Sequence, residues 1–229
     1  MTLDLVIFDL DGTLVQLDFT GNGMQNVRTN LQSVFAEEGI NREFSPLLVD
    51  LEDALETVSE VADENTAARI HQEAFQVVAE MECDAVSRQE VYNDAKTVLK
   101  RVATSDSTLA VATNNTRGAA EAAMDAAGFP EPDYLITVDD VNKPKPDSAM
   151  IDALLKQVDH SPTTLAIVGD RISDAESVRR SCVDTDITTH TVLVDRSGEN
   201  PEDSEIVDHV VTSLTDALDI LPIESSKTK

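Results

Sequence analysis

Basic residues are scarce in this chain. Lys and Arg number 17 against 44 Asp and Glu, a formal charge of −27. A nucleic-acid binder needs basic patches to neutralise phosphates, so this balance argues against nucleic acid as a partner. An anionic membrane surface would repel the chain as well. No apolar run approaches the ~20 residues of a spanning helix. The start, MTLDLVIFDLDGTL, has no basic n-region and no signal-peptide cleavage pattern, so the expected location is the cytoplasm. Cysteine is nearly absent. Cys83 and Cys182 lie far apart and form no CxxC, which argues against a disulfide framework or a zinc site and leaves two inert thiols. Trp is missing, and aromatics make up 3%.

What is present is ordinary globular material. Hydrophobic residues are 41% and charged residues 27%, a mix that rules out wholesale disorder. The length of 229 residues suits one large domain, or one domain with a smaller insert. The acid is spread along the chain and never forms a block resembling an interaction tail. From Asp184 to Asp208 there are eight acidic residues and a single basic one, Arg196. Lys is scarcer than Arg, 7 against 10. Together with the poverty in aromatics, this composition resembles that of proteins working in molar salt, where dense carboxylates hold solubility and their repulsion is screened. A halophilic protein is the expectation.

Leu3–Leu10 is a short apolar run ending in acid and reads as a buried strand. Similar runs follow at Thr108–Thr113, Tyr134–Val138, Thr164–Val168 and Thr191–Val194, with His209–Thr212 as a candidate sixth. Helical patterns separate them, over Asp94–Ala103, Arg117–Ala127, Asp147–Val158, from near Asp174, and over Leu214–Leu221. Thr116 is the expected N-cap of the second of these and Gly128 its stop. Strands alternating with such helices predict right-handed βαβ crossovers and a parallel α/β sheet. Residues 15–87 break this rhythm. Apolar residues repeat at helical spacing from Met24 to Phe35, from Leu47 to Ala62 after a Ser45-Pro46 start, and from Ala67 to Met81. The segment reads as an all-helical insert. The expected division is 1–14 with 88–223 as the sheet domain, 15–87 as the insert and 224–229 as a disordered tail.

Open parallel sheets bind ligands beyond the carboxyl ends of their strands. Here those ends carry Asp9-Leu10-Asp11-Gly12-Thr13, Thr113-Asn114-Asn115, and Gly169-Asp170 with Asp174 close behind; Lys143-Pro144-Lys145-Pro146 lies between the last two. Asp9 and Asp11 are two apart, so in extended chain both point to one side. Carboxylates gathered this way repel one another and call for a cation. Hard oxygen ligands in that number suit Mg²⁺, which keeps waters and a substrate phosphate in its shell. Lys143 and the backbone N–H groups after Thr113 could then face the remaining phosphate oxygens.

FDLDGTL at 8–14, TNN at 113–115, KPKPD at 143–147 and GDRISD at 169–174 resemble the four ordered motifs of the haloacid dehalogenase (HAD) superfamily, and the long gap after Thr13 has room for that family's helical cap. The resemblance implies a Rossmann-like three-layer core with an inserted all-helical cap, closest in type to the phosphoglycolate phosphatase-like branch. It implies that Asp9 is the nucleophile, forming an aspartyl-phosphate, and that Asp11 is the general acid and base. It implies Mg²⁺ held by Asp9, by the Asp11 backbone carbonyl, by Asp170 and by Asp174 directly or through water. It implies that Thr113 and Asn114 bind the phosphoryl group, and that Lys143, as the first Lys of KPxP, neutralises it and orients Asp9. Asp at the second position favours phosphoryl transfer over dehalogenation, because an alkoxide leaving group needs a proton and a halide does not. The implied substrate is a small-molecule phosphate ester. A phosphomutase of the same fold and a non-catalytic regulatory protein are the alternatives, and monomer and dimer are both open.

The remaining residues near the motifs are ranked lower. Thr13 reads as fixing its loop, Lys145 as a solvated neighbour of Lys143, and Asn115 and Arg171 as loop residues near the site. His71, His160, His190 and His209 share no metal-ligand spacing. In the insert, Arg28, Arg42 and Arg69 are expected to pair with surface acid. Asp18–Gly23 is either a hinge or a substrate loop. The chain departs from the family pattern at Asn142 before Lys143, at Tyr92-Asn93-Asp94 and at Ser181-Cys182. None of these removes a catalytic group.

Overall fold

The computed structural model describes residues 2–19, 23–45, 47–196 and 205–223. Their contacts divide the chain into two units, Met1–Leu17 with Gln89–Lys229, and Asp18–Arg88. The tail 224–229, Gly21 and Pro46 lie outside the described residues.

The described strands are β1 (Leu5–Phe8), β2 (Val15–Gln16), β3 (Glu90–Val91), β4 (Thr108–Ala112), β5 (Tyr134–Ile136), β6 (Thr164–Gly169), β7 (Thr188–Val194) and β8 (His209–Val211). Six of them form one parallel sheet in the order β5-β4-β1-β6-β7-β8. β1 is central, with Leu5 opposite Thr108 of β4 and Leu165 of β6. The three central strands are apolar nearly throughout because both faces of a parallel sheet are covered by helices; every residue of β1 and β6 is buried. The strand order reverses around β1, so the carboxyl ends of β1, β4 and β6 open side by side at the topological switch point.

Helices α4 (Ala95–Ala103), α5 (Arg117–Ala127), α6 (Ala149–Gln157), α7 (Ile172–Cys182) and α8 (Leu214–Ile220) belong to this unit. Each presents an apolar face inward, as with Val98, Leu99 and Val102 of α4. Gly128 ends α5 in the left-handed conformation (φ 61°). Thr116 occupies the N-cap position of α5 but makes no capping bond with its side chain; the Asp139 carboxylate instead accepts the Arg117 backbone N–H at 2.6 Å. The β2–β3 ladder pairs Val15 with Val91 and Gln16 with Glu90, and it draws the chain as far as Leu17 into the sheet unit. Two-residue strands leave no periodic signal, so this ladder is not legible in the sequence.

The Asp18–Arg88 unit is helical: α1 (Gly23–Ala36), α2 (Leu47–Val61) and α3 (Glu64–Val86). Val27, Leu31, Phe35, Phe44, Leu51, Ala54, Val58, Ile70, Ala74 and Val78 form its core. Asp63 caps α3, accepting the N–H groups of Asn65 and Thr66 at 3.0 and 3.2 Å. Arg88 and Asp18 pair at 3.6 Å where the unit begins and ends. Arg42 pairs with Asp53 and Arg69 with Glu73. Arg28 differs from expectation, donating to the Phe44 carbonyl and the Ser45 hydroxyl rather than to acid. Cys83 and Cys182 are free thiols. No described helix is long and apolar enough to cross a membrane.

Candidate active site

The end of β1 delivers Asp9, whose backbone N–H continues the ladder to the Val168 carbonyl of β6 at 3.0 Å. This fixes the carboxylate at the mouth of the sheet while burying it. The chain then turns sharply. Leu14 and Val15 both donate to the Leu10 carbonyl, at 2.9 and 3.1 Å, and Gly12 donates to Val15 at 2.7 Å. The turn requires glycine twice over. Gly12 sits at φ +90°, and a Cβ there would overlap the carboxylate of Asp170. The loop that carries Asp9 and Asp11 thus comes close to the end of β6 only because position 12 has no side chain. The same device recurs at Gly169, where a Cβ would overlap the Asp174 carboxylate.

Asp9, Asp170 and Asp174 converge. One carboxylate oxygen from each lies within 4.8 Å of the other two. The first turn of α7 supplies Asp174, which accepts the Arg171 backbone N–H at 3.1 Å. Lys145 enters among them. Its Nζ lies 2.7 Å from Asp9 Oδ1 and 2.5 Å from Asp174 Oδ1, and donates to the Ala112 carbonyl at the end of β4 at 2.8 Å. The Lys145 side chain is only 2% exposed, which for an ammonium group demands such compensation.

This corrects the sequence expectation. Lys143 was expected to orient Asp9, with Lys145 solvated; in the structure Lys143 is exposed and Lys145 is the buried lysine among the carboxylates. The two lie two residues apart in KPKP, so strand alternation alone does not tell them apart. Asn114 settles which one arrives. Its side-chain amide donates to the Lys145 carbonyl at 3.1 Å and accepts the Lys145 N–H at 2.9 Å. Asn114 was expected to bind a phosphoryl group, but both ends of its amide are committed to the Lys145 backbone. Thr113 is buried, its hydroxyl donating to Asn115 Oδ1 at 2.8 Å and accepting the Asn115 N–H at 3.2 Å. Thr13 donates to Asp9 Oδ2 at 3.3 Å, the loop-fixing role expected of it. Asp11 stands apart from the three-carboxylate cluster, and its Oδ1 accepts the Leu17 N–H at 2.8 Å. Arg171 is exposed, with Nε 3.8 Å from Asp170 Oδ2.

The electrostatics follow from burial and crowding. Burial raises the Asp9 pKa to about 7; Asp174 and Asp170 add to the rise, and Lys145 opposes it. Burial, followed by Asp174, raises Asp170 to about 6. Burial also raises Asp11, against the Leu17 hydrogen bond. Burial alone would lower Lys145, but Asp174 and Asp9 outweigh it and hold the ammonium firmly protonated.

One lysine serves Asp9 and Asp174, while Asp170 Oδ1 is buried without a hydrogen-bond partner. Three converging carboxylates, one with an orphaned oxygen, are a donor set suited to a small hard divalent cation such as Mg²⁺. Asp9, Asp170 and Asp174 fit that ion; among the described residues, no histidine joins them.

Comparison with known proteins bears on the family and the fold. No curated sequence matches the chain. Solved structures of the same fold include a putative phosphoglycolate phosphatase from Lactobacillus plantarum, 19% identical, with a TM-score of 0.56 over 96% of this chain and 99% of that one. CbbY from Rhodobacter sphaeroides, solved in complex with phosphate, is 16% identical with a TM-score of 0.59, over 94% and 96% of the two chains. A dehalogenase solved with an intermediate complex is 18% identical with a TM-score of 0.58, over 96% and 98%. At these identities the likeness establishes the fold. A family model for haloacid dehalogenase-like hydrolases matches residues 3–181, a span that takes in all four motif segments, and the chain belongs to that family.

Proposed function

We propose that the protein is a Mg²⁺-dependent phosphomonoester hydrolase acting on a small phosphorylated metabolite. The observation that carries this reading is the buried Lys145 ammonium between Asp9 and Asp174, beside an Asp170 oxygen with no partner. In that arrangement the Lys145 ammonium favours the ionised form of Asp9 against its burial, and a cation beside Asp170 would favour it further.

In this reading Asp9 attacks phosphorus through a carboxylate oxygen, forming an aspartyl-phosphate as the P–O bond to the leaving alkoxide breaks. Asp11 gives that alkoxide its proton, then takes a proton from the water that hydrolyses the acyl-phosphate. Burial favours the protonated form of Asp11, which suits the first of these tasks. Lys145 holds Asp9 in position and offsets charge on the transferring group, the role the sequence assigned to Lys143. Asp9, Asp170 and Asp174 would hold Mg²⁺, which supplies further positive charge beside the phosphoryl oxygens. The helical Asp18–Arg88 unit is proposed as the cap that selects the substrate.

The test is phosphate release from a panel of phosphorylated metabolites in molar KCl with Mg²⁺, with Asp9→Asn as control. Release that depends on Mg²⁺ and vanishes in Asp9→Asn supports the reading. Halide release from 2-halo acids without phosphatase turnover would replace it with dehalogenation. Conversion of one sugar phosphate to another without free phosphate would replace it with a mutase.

A further inference from the structure

Arg196, the single basic residue in the acidic stretch from Asp184 to Asp208, reaches out of that stretch to Thr13, Asp94 and Tyr92. It follows β7, and its side chain is 23% exposed. Its Nη2 donates to the Thr13 carbonyl at 3.2 Å, in the loop that carries Asp9 and Asp11. The same nitrogen lies 3.5 Å from Asp94 Oδ1. The guanidinium carbon sits 3.8 Å above the centre of the Tyr92 ring, within cation–π range.

Each partner is itself fixed. Asp94 uses its other oxygen on the Leu214 N–H at 2.8 Å, at the start of α8. Tyr92 donates its hydroxyl to Gln16 Oε1 at 3.0 Å and its N–H to the Leu14 carbonyl at 3.3 Å. Arg196 therefore braces the loop from outside, while Thr13 donates its hydroxyl to Asp9 Oδ2 from within. The path from guanidinium to nucleophile passes through a single residue.

We infer that Arg196 is a positioning residue, which holds the Thr13 backbone so that the Thr13 hydroxyl keeps the Asp9 carboxylate in its attacking orientation. A planar guanidinium suits this place because one group can donate to a carbonyl, face a carboxylate and lie flat on a ring. An alkyl chain of similar length could only fill the space. The consequence for turnover rests on the phosphatase reading; the consequence for the loop does not.

The test compares Arg196→Met and Arg196→Lys with the intact protein in molar KCl. Amide hydrogen exchange is read first. In Arg196→Met the Leu14 and Val15 amides are expected to exchange faster, while the β6 amides keep their protection. With Mg²⁺ and the best phosphate ester, Arg196→Met should lower kcat about tenfold with KM changed less than about twofold, the signature of a mis-set nucleophile rather than lost binding. Arg196→Lys keeps the charge and one donor, and should restore kcat to within about threefold. Unchanged loop exchange in Arg196→Met would overturn the inference. So would equal acceleration across the loop and β6, which would reduce Arg196 to general stability. If the intact protein releases no phosphate, the phosphatase reading fails, and the exchange pattern still decides whether Arg196 braces the loop. If Arg196→Met does not fold, Arg196→Lys with Tyr92→Leu carries the same comparison, because removing the ring leaves only a tethered amine to brace the loop and should loosen the same two amides.

Discussion

Asn114 holds Lys145 by its backbone, donating to the carbonyl at 3.1 Å and accepting the N–H at 2.9 Å, so that the chain just after β4 fixes where the buried lysine stands. A second contact, from Lys145 Nζ to the Ala112 carbonyl at 2.8 Å, ties the far end of the same side chain to the same strand. Asn114→Ala removes the backbone pair and leaves the Nζ contact. The expected loss is about 1–2 kcal/mol of stability, from two hydrogen bonds worth roughly 1 kcal/mol each net. Turnover should fall about tenfold as Lys145 loses its fixed approach to Asp9. Thermal unfolding and steady-state kinetics of the variant check both.

The two lysines of KPKP should separate cleanly. Lys145→Met leaves Asp9 and Asp174 buried without their ammonium. Removing one partner of a buried pair costs about 3–5 kcal/mol, and proton uptake by the carboxylates will recover part of it. Activity should fall at least about a hundredfold. Lys143→Met, at an exposed position, should change stability by less than about 0.5 kcal/mol. If Lys143→Met is the inactive variant and Lys145→Met turns over normally, the sequence assignment stands and the reading of the site does not.

The raised carboxylates make metal binding and stability depend on pH in a defined sense. Asp9, raised by burial to about 7, and Asp170, raised by burial to about 6, both start from 3.8. Between those limits the metal-free fold binds protons that the unfolded chain does not. The stability they contribute is fully present below about pH 4 and is lost as pH rises through about 6 and then about 7. Mg²⁺ must displace these protons, so its stabilising effect should grow across the same window. Melting temperatures with and without excess Mg²⁺, at about pH 5 and about pH 8, should differ more at the higher pH. Asp9→Asn should shrink the difference. An Mg²⁺ effect of equal size at both values would remove the three carboxylates from consideration as the metal site.

Much of this was legible in the chain. Runs such as Leu5–Phe8 and Thr164–Gly169 are buried along their whole length because both sheet faces are covered, and the helical stripes fall on α1, α2 and α3 of the Asp18–Arg88 unit. The motif residues Asp9, Asp170 and Asp174 do meet at the strand ends. Three features were not legible, each for a physical reason. The β2–β3 ladder is too short to have a period. The choice of Lys145 over Lys143 depends on where Asn114 places the backbone, which no local pattern encodes. Arg196 reaches Thr13 across 183 residues, and in the sequence it looks like a lone base among acids.

The charge of −27 leads to the last expectation. Several surface bases are already engaged, as with Arg101 and Asp219 at 3.0 Å or Arg180 and Glu176 at 3.0 Å, and with 17 bases for 44 acids one-to-one pairing cannot neutralise the excess. Salt acts on both populations. It weakens exposed pairs, which are worth at most about 1 kcal/mol each, and it screens repulsion among the surplus carboxylates. With 44 acidic residues against 17 basic ones, the repulsive term outweighs the attractive one, and the melting temperature should rise with KCl. The shape of the rise separates two cases. Simple screening is nearly complete once the Debye length falls to about 3 Å, near 1 M salt. A protein adapted to molar salt should go on gaining stability beyond that point, because hydrated cations then bind among its carboxylates. Thermal unfolding across a KCl series extending past 1 M reads the difference. Continued gain would support adaptation to molar salt, a plateau would leave only generic screening, and equal stability in low and molar KCl would sink the halophilic reading altogether.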